Sequence, residues 1–170
     1  MGKKFFGSHG WVIHLATTDD GTKPPENISL HEEVSKRNSR GCFYFSCRQR
    51  VAKISELEYL VIYYSTQEEK APKENRFFVA KVEPESKSFT DPFIPDDAAE
   101  FTPEKWASEE SRTWFRLSNL REIVNPDELR HLEVITQDDQ KVNFLQSLNP
   151  SPRAGARHIY GALSLEASEQ

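Results

Sequence analysis

The stretch "EYLVIYYST" at residues 58–66, followed by "RFFVAKVEP" at residues 76–84, decides the fold class. Both runs are rich in aromatic and β-branched residues, which favour β-strands. The charged stretch "QEEKAPKEN" between them is typical of a solvated loop. The two runs are therefore predicted to form adjacent antiparallel strands.

Working outward from this pair, strands and short helices follow without a regular order. "WVIHLATT" at residues 11–18 predicts the first strand, "NISLHEEVSKRN" at 27–38 a short helix, and "GCFYFSC" at 41–47 a second strand. Residues 85–103 are rich in proline and predict a loop, whereas "RTWFRLSNLREI" at 112–123 predicts another strand. Because no series of β-α-β units appears, a doubly wound parallel sheet is disfavoured. We expect an α+β fold, with a curved mixed β-sheet or small β-barrel flanked by short helices.

The chain length predicts a single domain over residues 1–150. Residues 151–170 are predicted to be a C-terminal segment whose last residues are flexible or lead into another domain, because the end is small and polar. Further domains or subunits of a larger protein are possible partners.

Positive charge is concentrated in "SKRNSRGCFYFSCRQRVAK" at residues 35–53. This stretch holds six of the 22 Lys and Arg residues and none of the 27 Asp and Glu residues, although the chain has a net charge of −5. A local cluster of cations can orient an anionic partner even on an acidic protein. We call residues 36–53 the basic segment; its cations are Lys36, Arg37, Arg40, Arg48, Arg50 and Lys53.

Neither a membrane nor a cofactor is expected as a partner. No run approaches the roughly 20 apolar residues that a spanning helix needs, and the N-terminus is unlike a signal peptide, so a cytoplasmic or nuclear location is predicted. The sequence lacks both GxGxxG and GxxxxGK[ST], and "LHEEV" lacks the second histidine of a zinc motif. We therefore predict no metal, no cofactor and no catalytic residue.

One catalytic alternative remains open. Asp127 follows a proline, and Asp139 and Lys141 form a later Asp-x-Lys, an arrangement that resembles the PD…(D/E)xK pattern of metal-dependent nucleases. Each piece also has a local explanation, as a helix start and as a polar turn. A third hypothesis is a protein-interaction module that uses the loop "DPFIPDD".

Aromatic residues in polar surroundings suggest a nucleic-acid site. Rings flanked by Lys and Arg can stack on unpaired or flipped bases while the cations bind phosphates. The members of this group include Phe43, Tyr44, Phe45, Phe101 and Trp106. Alternating strand aromatics can also simply form the core.

Three sequence features resemble the PUA-like superfold that contains the EVE and YTH domains. "ISELEYLVIYYSTQ" followed by "RFFVAKVEPES" resembles the paired strands of its curved sheet. Phe101, Trp106 and Trp114 match the YTH spacing Trp-x4-Trp-x7-Trp, and "ELRHLEVITQDDQKV" is similar to a later YTH stretch. Related domains also recognise targets in modification-dependent restriction proteins of the McrB type.

The resemblance implies a site as well as a fold. Trp106 would form one wall of an aromatic cage, Phe101 a second, and Tyr44 or Phe45 the third, while Ser46 or Asn119 would read the edge of the base. The expected function is a non-enzymatic module that binds RNA or DNA containing a modified base, such as a methylated one, with the basic segment on the phosphates. The sequence leaves RNA and DNA equally open.

Overall fold

The computed structural model describes residues 6–66, 74–135, 140–148 and 157–165. The described strands, in chain order, are β1 (Phe6–His14), β2 (Cys42–Cys47), β3 (Tyr59–Thr66), β4 (Glu74–Val82), β5 (Lys87–Phe93), β6 (Ser111–Ile123), β7 (Glu133–Ile135), β8 (Lys141–Asn143) and β9 (Arg157–Ser164). The described α-helices are α1 (Pro24–Arg37), α2 (Ala98–Phe101) and α3 (Phe144–Ser147). Short 3-10 turns occupy Ile54–Glu56, Glu104–Trp106 and Pro126–Leu129.

The strands form one large mixed sheet. Its order is β2-β6-β4-β3-β1-β9-β7-β8, and β5 pairs with β6 beside this path. The sheet is mixed because β1 runs parallel to β3 and antiparallel to β9. The α+β class and the mixed sheet are confirmed; over the described strands the sheet is open, and the barrel alternative does not form. A PUA-like fold in particular stays a prediction.

The sequence predicted several elements well and missed others. The run at 58–66 and the run at 76–84 form β3 and β4, which are neighbours in the sheet. The prediction of a loop over residues 85–103 was wrong, because β5 pairs with β6 at Ser88↔Thr113 and α2 follows it. The segment after residue 150 also contributes a strand, since β9 pairs with β1 from Phe6↔Ser164 to Val12↔Arg157.

The chain divides into two compact units. The first unit comprises residues 1–16, 58–80 and 121–170, and the second comprises residues 17–57 and 81–120. Within the first unit, β1 lies between β3 and β9, and its core contains Val12, Tyr63 and Ile159. Gly10 is required on β1, because a Cβ atom there would lie 2.4 Å from the ring of Tyr59.

The second unit is built around β2. Helix α1 begins with two prolines at its first positions, which suit a helix start, and its buried side chains include Ile28, His31 and Val34. Helix α1 packs on β2, and β2 pairs antiparallel with β6 from Cys42↔Ser118 to Cys47↔Thr113. This arrangement buries the aromatic run of β2 while leaving its charged flanks exposed.

Among the described residues, no helix has both the length and the apolar character that crossing a membrane requires.

Candidate nucleic-acid interface

The six cations of the basic segment are all exposed in the second unit. Two of them form ion pairs: Arg40 Nη2 lies 3.9 Å from Glu85 Oε1, and Arg48 pairs with Asp19. In the described part of the chain, no ion pair involves the other four, which are Lys36, Arg37, Arg50 and Lys53. These four charges are the ones most available to an anionic ligand.

The aromatic residues of β2 point to two opposite faces, because successive side chains of a strand alternate. Tyr44 packs against Phe101, with ring centroids 6.2 Å apart. Phe45 instead packs against His31, which in turn stacks on Trp106. The four predicted cage aromatics therefore divide into two clusters, one on each face of β2, and all four are buried.

The first cluster, which we call the Tyr44 cluster, surrounds a buried arginine. The guanidinium carbon of Arg116 lies 3.6 Å from the centroid of the Phe101 ring and 5.1 Å from that of Tyr44. Trp114 stands edge-on to Tyr44 at 5.8 Å. Because a planar guanidinium can stack on aromatic rings, these contacts help to hold Arg116 within the cluster.

An acid completes the Tyr44 cluster. Arg116 Nη1 donates to Asp97 Oδ2 at 3.1 Å, and the Tyr44 hydroxyl donates to Asp97 Oδ1 at 2.8 Å. Burial raises the pKa of Tyr44, and its hydrogen bond to Asp97 acts in the same direction. At neutral pH the tyrosine is therefore a hydroxyl donor, and the Asp97 carboxylate accepts from both partners.

The second cluster, which we call the His31 cluster, lies between α1 and β2. The imidazole of His31 is parallel to the indole of Trp106 within 18°, at a centroid distance of 5.5 Å, and it also contacts Phe43 and Phe45. His31 Nδ1 donates to the carbonyl oxygen of Asn27 at 2.8 Å. Burial lowers the pKa of His31 to about 4, so this imidazole is neutral at pH 7.

A turn centred on Asp20 holds Trp106 and Lys105. Asp20 Oδ1 accepts from the hydroxyls of Thr18 and Thr22, and these hydrogen bonds hold the pKa of the Asp20 carboxyl well below its usual range. Asp20 Oδ2 accepts from Trp106 Nε1 at 3.2 Å. The ammonium of Lys105 donates to Thr22 Oγ1 at 2.7 Å and lies 5.3 Å from the centroid of the Trp106 ring. The turn therefore fixes the segment that carries both residues.

A cleft of about 560 Å³ opens beside this segment. Its apolar lining comes from Leu30, Val34 and Pro103. Its charged lining comes from Glu33, Arg37, Glu104 and Lys105. Its volume falls within the range of about 300–1,000 Å³ common for small-molecule sites. Arg37 belongs both to this cleft and to the basic segment.

The two residues predicted to read the base edge lie outside both clusters. Ser46 is half-buried on β2, opposite Trp114 in the β2–β6 register. Asn119 is exposed on β6 and adopts a φ of 53°, a left-handed conformation that asparagine tolerates better than most residues. Their role as readers of a base stays a prediction.

The residues of the nuclease alternative are only partly described. Asp127 Oδ1 lies 2.8 Å from Arg130 Nε, and the Asp127 amide donates to the Asn125 side chain that caps the 3-10 turn. Asp139 lies outside the described residues. Within the described ranges, no group of three or more His, Cys, Asp or Glu side chains is placed to hold a metal ion.

The stretch of the protein-interaction hypothesis, residues 91–97, and the nearby Phe89 carry exposed apolar side chains. Phe89 is 51% exposed and Ile94 is 39% exposed, while Phe93 packs its ring 4.8 Å from that of Phe89. This surface lies on β5 and the residues that follow it. The hypothesis itself stays a prediction.

Sequence reasoning missed Arg116, Asp97, His31 and Asp20 as members of these clusters. Only Arg116 had a usable signal, since in "RTWFRLSN" it follows Trp114 by two residues and so shares its face of a strand. A lone histidine and two acids in turn-like stretches carry no such pattern. Their importance comes from partners that are distant in the sequence.

Comparison of the chain with protein-family models, with curated proteins and with solved structures found no match.

Proposed function

We propose that this chain is a nucleic-acid-binding module that recognises a modified, unstacked base, with the basic segment contacting the phosphates. The observation that carries the proposal is the exposure of all six cations of the basic segment on the unit that also holds the aromatic clusters. Phosphate contacts supply most of the sequence-independent affinity of nucleic-acid binding, and they require cations that are free to bind.

The burial of the aromatic residues limits the ways in which a base could bind to them. Trp106 is only 8% exposed, and the Phe101 ring is covered by Arg116. A base that stacked on either ring would have to displace Arg116 or Lys105 from its present contacts. The cleft lies between helix α1, which carries His31, and residues 103–105, which precede Trp106. For this reason we favour the His31 face of β2 over the Tyr44 face.

A panel of oligonucleotides tests the proposal directly. Single- and double-stranded RNA and DNA of one length, each with and without methylated bases, would be titrated at one fixed salt concentration by fluorescence anisotropy. We expect at least one methylated single strand to bind more tightly than its unmodified counterpart. Equal affinity for every modified and unmodified pair would contradict the recognition of a modified base.

The role of the basic segment has its own prediction. The double variant Lys36→Glu/Arg50→Glu reverses two exposed charges that have no ion pair among the described residues. We expect affinity at low salt to fall by about tenfold or more for all sequences, and the salt slope to become smaller by about 1 to 2, since each lost phosphate contact removes about 0.7 on a single strand.

The matched control reverses two exposed lysines elsewhere. The variant Lys87→Glu/Lys141→Glu makes the same change in net charge outside the basic segment. It is expected to retain most of the affinity and nearly all of the salt slope. If both double variants lose affinity equally, net charge rather than the basic segment governs binding, and the segment is not the interface.

A further inference from the structure

The cleft beside Trp106 combines an apolar lining with a charged rim. Val34 and Pro103 are buried in the packed chain and Leu30 is half-buried, so a flat ring would place one apolar face mainly against Leu30. Removal of such faces from water is the main favourable term in binding an aromatic ligand. The exposed charged side chains at the rim then determine which bases bind.

The cations at the rim connect the cleft to the basic segment. Arg37 ends helix α1, lines the cleft and has no ion pair in the described ranges. Lys105 also lines the cleft, from the segment that the Asp20 turn holds. When the base of a nucleotide lies in the cleft, its phosphate would therefore be close to Arg37, which also belongs to the basic segment.

Two carboxylates share the rim with these cations. Glu33 and Glu104 are both exposed and line the cleft, and no ion pair or side-chain hydrogen bond holds either carboxylate among the described residues. An ionised carboxylate only accepts hydrogen bonds. It therefore favours a base edge that presents an amino group and repels one that presents a carbonyl oxygen in the same place.

From this arrangement we propose that the cleft holds an unstacked base that carries an exocyclic amino group, and that Glu33 or Glu104 accepts the hydrogen bond of that group. The proposal rests on the proposed function, since it presumes that the chain binds nucleic acid. It adds the chemical class of the base: cytosine, adenine or guanine is accepted, and uracil or thymine is discriminated against. The basic segment supplies affinity for any nucleic acid, whereas the cleft discriminates between bases.

The test compares two oligonucleotides whose bases differ at position 4, where cytosine carries an amino group and uracil a carbonyl oxygen, and at N3, which accepts a hydrogen bond in cytosine and donates one in uracil. Single-stranded oligo-deoxycytidine and oligo-deoxyuridine of equal length would be titrated at pH 7 across a range of salt concentrations. We expect wild type to bind the cytidine oligonucleotide about tenfold more tightly, as one charge-assisted hydrogen bond implies. The salt slopes of the two should be equal, because both present the same phosphates.

Amide variants of the two carboxylates identify the acceptor. A glutamine side chain can donate to a carbonyl as well as accept from an amino group. Glu33→Gln or Glu104→Gln should therefore reduce the tenfold preference to about twofold or less, mainly by improving binding of the uridine oligonucleotide, with the salt slope unchanged. The matched control Glu26→Gln changes an exposed glutamate of the same helix outside the cleft and should keep the full preference.

The outcomes separate this inference from the proposed function. If wild type binds both oligonucleotides equally and with a strong salt slope, the cleft assignment is overturned and the phosphate-binding role stands. A preference that survives in both glutamine variants also overturns it. If neither oligonucleotide, nor any member of the methylated panel, binds with a salt-dependent affinity, the proposed function fails and the inference fails with it.

Discussion

Acidification from pH 7 to pH 4 is expected to reduce the free energy of unfolding by about 3 kcal/mol through His31 alone. The imidazole is buried against Phe43, Phe45 and Trp106, and burial lowers its pKa from 6.5 to about 4, opposed by its hydrogen bond to Asn27. A shift of this size corresponds to about 1.4 kcal/mol for each pH unit that separates the two values.

The direction follows from where the proton binds. In the unfolded chain His31 takes up a proton as the pH falls through about 6.5, whereas in the folded protein it does so only near 4. Between these values the unfolded state binds more protons, so stability falls as the pH falls. The contribution is fully present above about pH 6.5, is lost progressively down to about pH 4, and does not change further below that.

Urea unfolding at half-unit steps between pH 4 and pH 7.5 measures this effect. His31→Gln retains an N–H group that can donate to the Asn27 carbonyl but has no proton to gain. Its stability should therefore decline less than that of wild type over the same range, by about 3 kcal/mol at pH 4. Parallel curves for the two proteins would contradict the assignment, as would an NMR titration of the His31 ring with a midpoint near 6.5.

Removal of the Asp97 carboxylate is expected to lower the free energy of unfolding by about 2 kcal/mol. Arg116 is 2% exposed, and its guanidinium pairs with Asp97 at 3.1 Å. Asp97→Ala takes away the carboxylate partner of this buried charge and leaves the longer contact to the Tyr44 hydroxyl, at 3.4 Å, together with the stacking on the Phe101 ring. We place the cost below the 3–5 kcal/mol typical of a fully buried pair because the Asp97 side chain is 43% exposed and water screens it.

A second substitution separates the lost charge pair from lost packing. Arg116→Met in the Asp97→Ala background removes the unpaired charge and keeps an apolar side chain beside Phe101. The double variant should be more stable than Asp97→Ala alone by about 1 kcal/mol or more, as when buried ion pairs are replaced by apolar residues. Urea unfolding at pH 7 gives all the values. An Asp97→Ala variant within about 0.5 kcal/mol of wild type would show that Arg116 does not depend on this acid.

The sequence predicted the fold correctly in those segments whose local residue preferences alone determine the secondary structure. The runs that became β3 and β4 are long, apolar and rich in β-branched residues, so local preference and burial agree. By contrast, "KSFTDPF" contains a proline and two charged residues, and it forms β5 only because β6 offers a partner edge. In the same way, "RHIYGALS" includes a glycine with a φ of 132° and becomes β9 by pairing with β1.

The candidate site was predictable to a smaller extent. Exposure of the basic segment follows from its charge, because six cations cannot be buried without partners. The division of Tyr44 and Phe45 between two faces follows from strand alternation, but the partners on each face do not. Arg116 over Phe101, and His31 against Trp106, join residues that are far apart in the sequence, and only the folded chain brings them together.

The Asp20 turn has a consequence for fragments of this protein. The hydrogen bond from Trp106 to Asp20 joins residues 86 positions apart, and the cleft is lined by helix α1 together with Pro103, Glu104 and Lys105. A short peptide that spans the basic segment would keep all six cations but would lack residues 30–34 and 103–105, which line the cleft. Such a peptide would behave as a simple polycation, attracted to any polyanion and indifferent to its bases, so the proposed selectivity requires the intact chain.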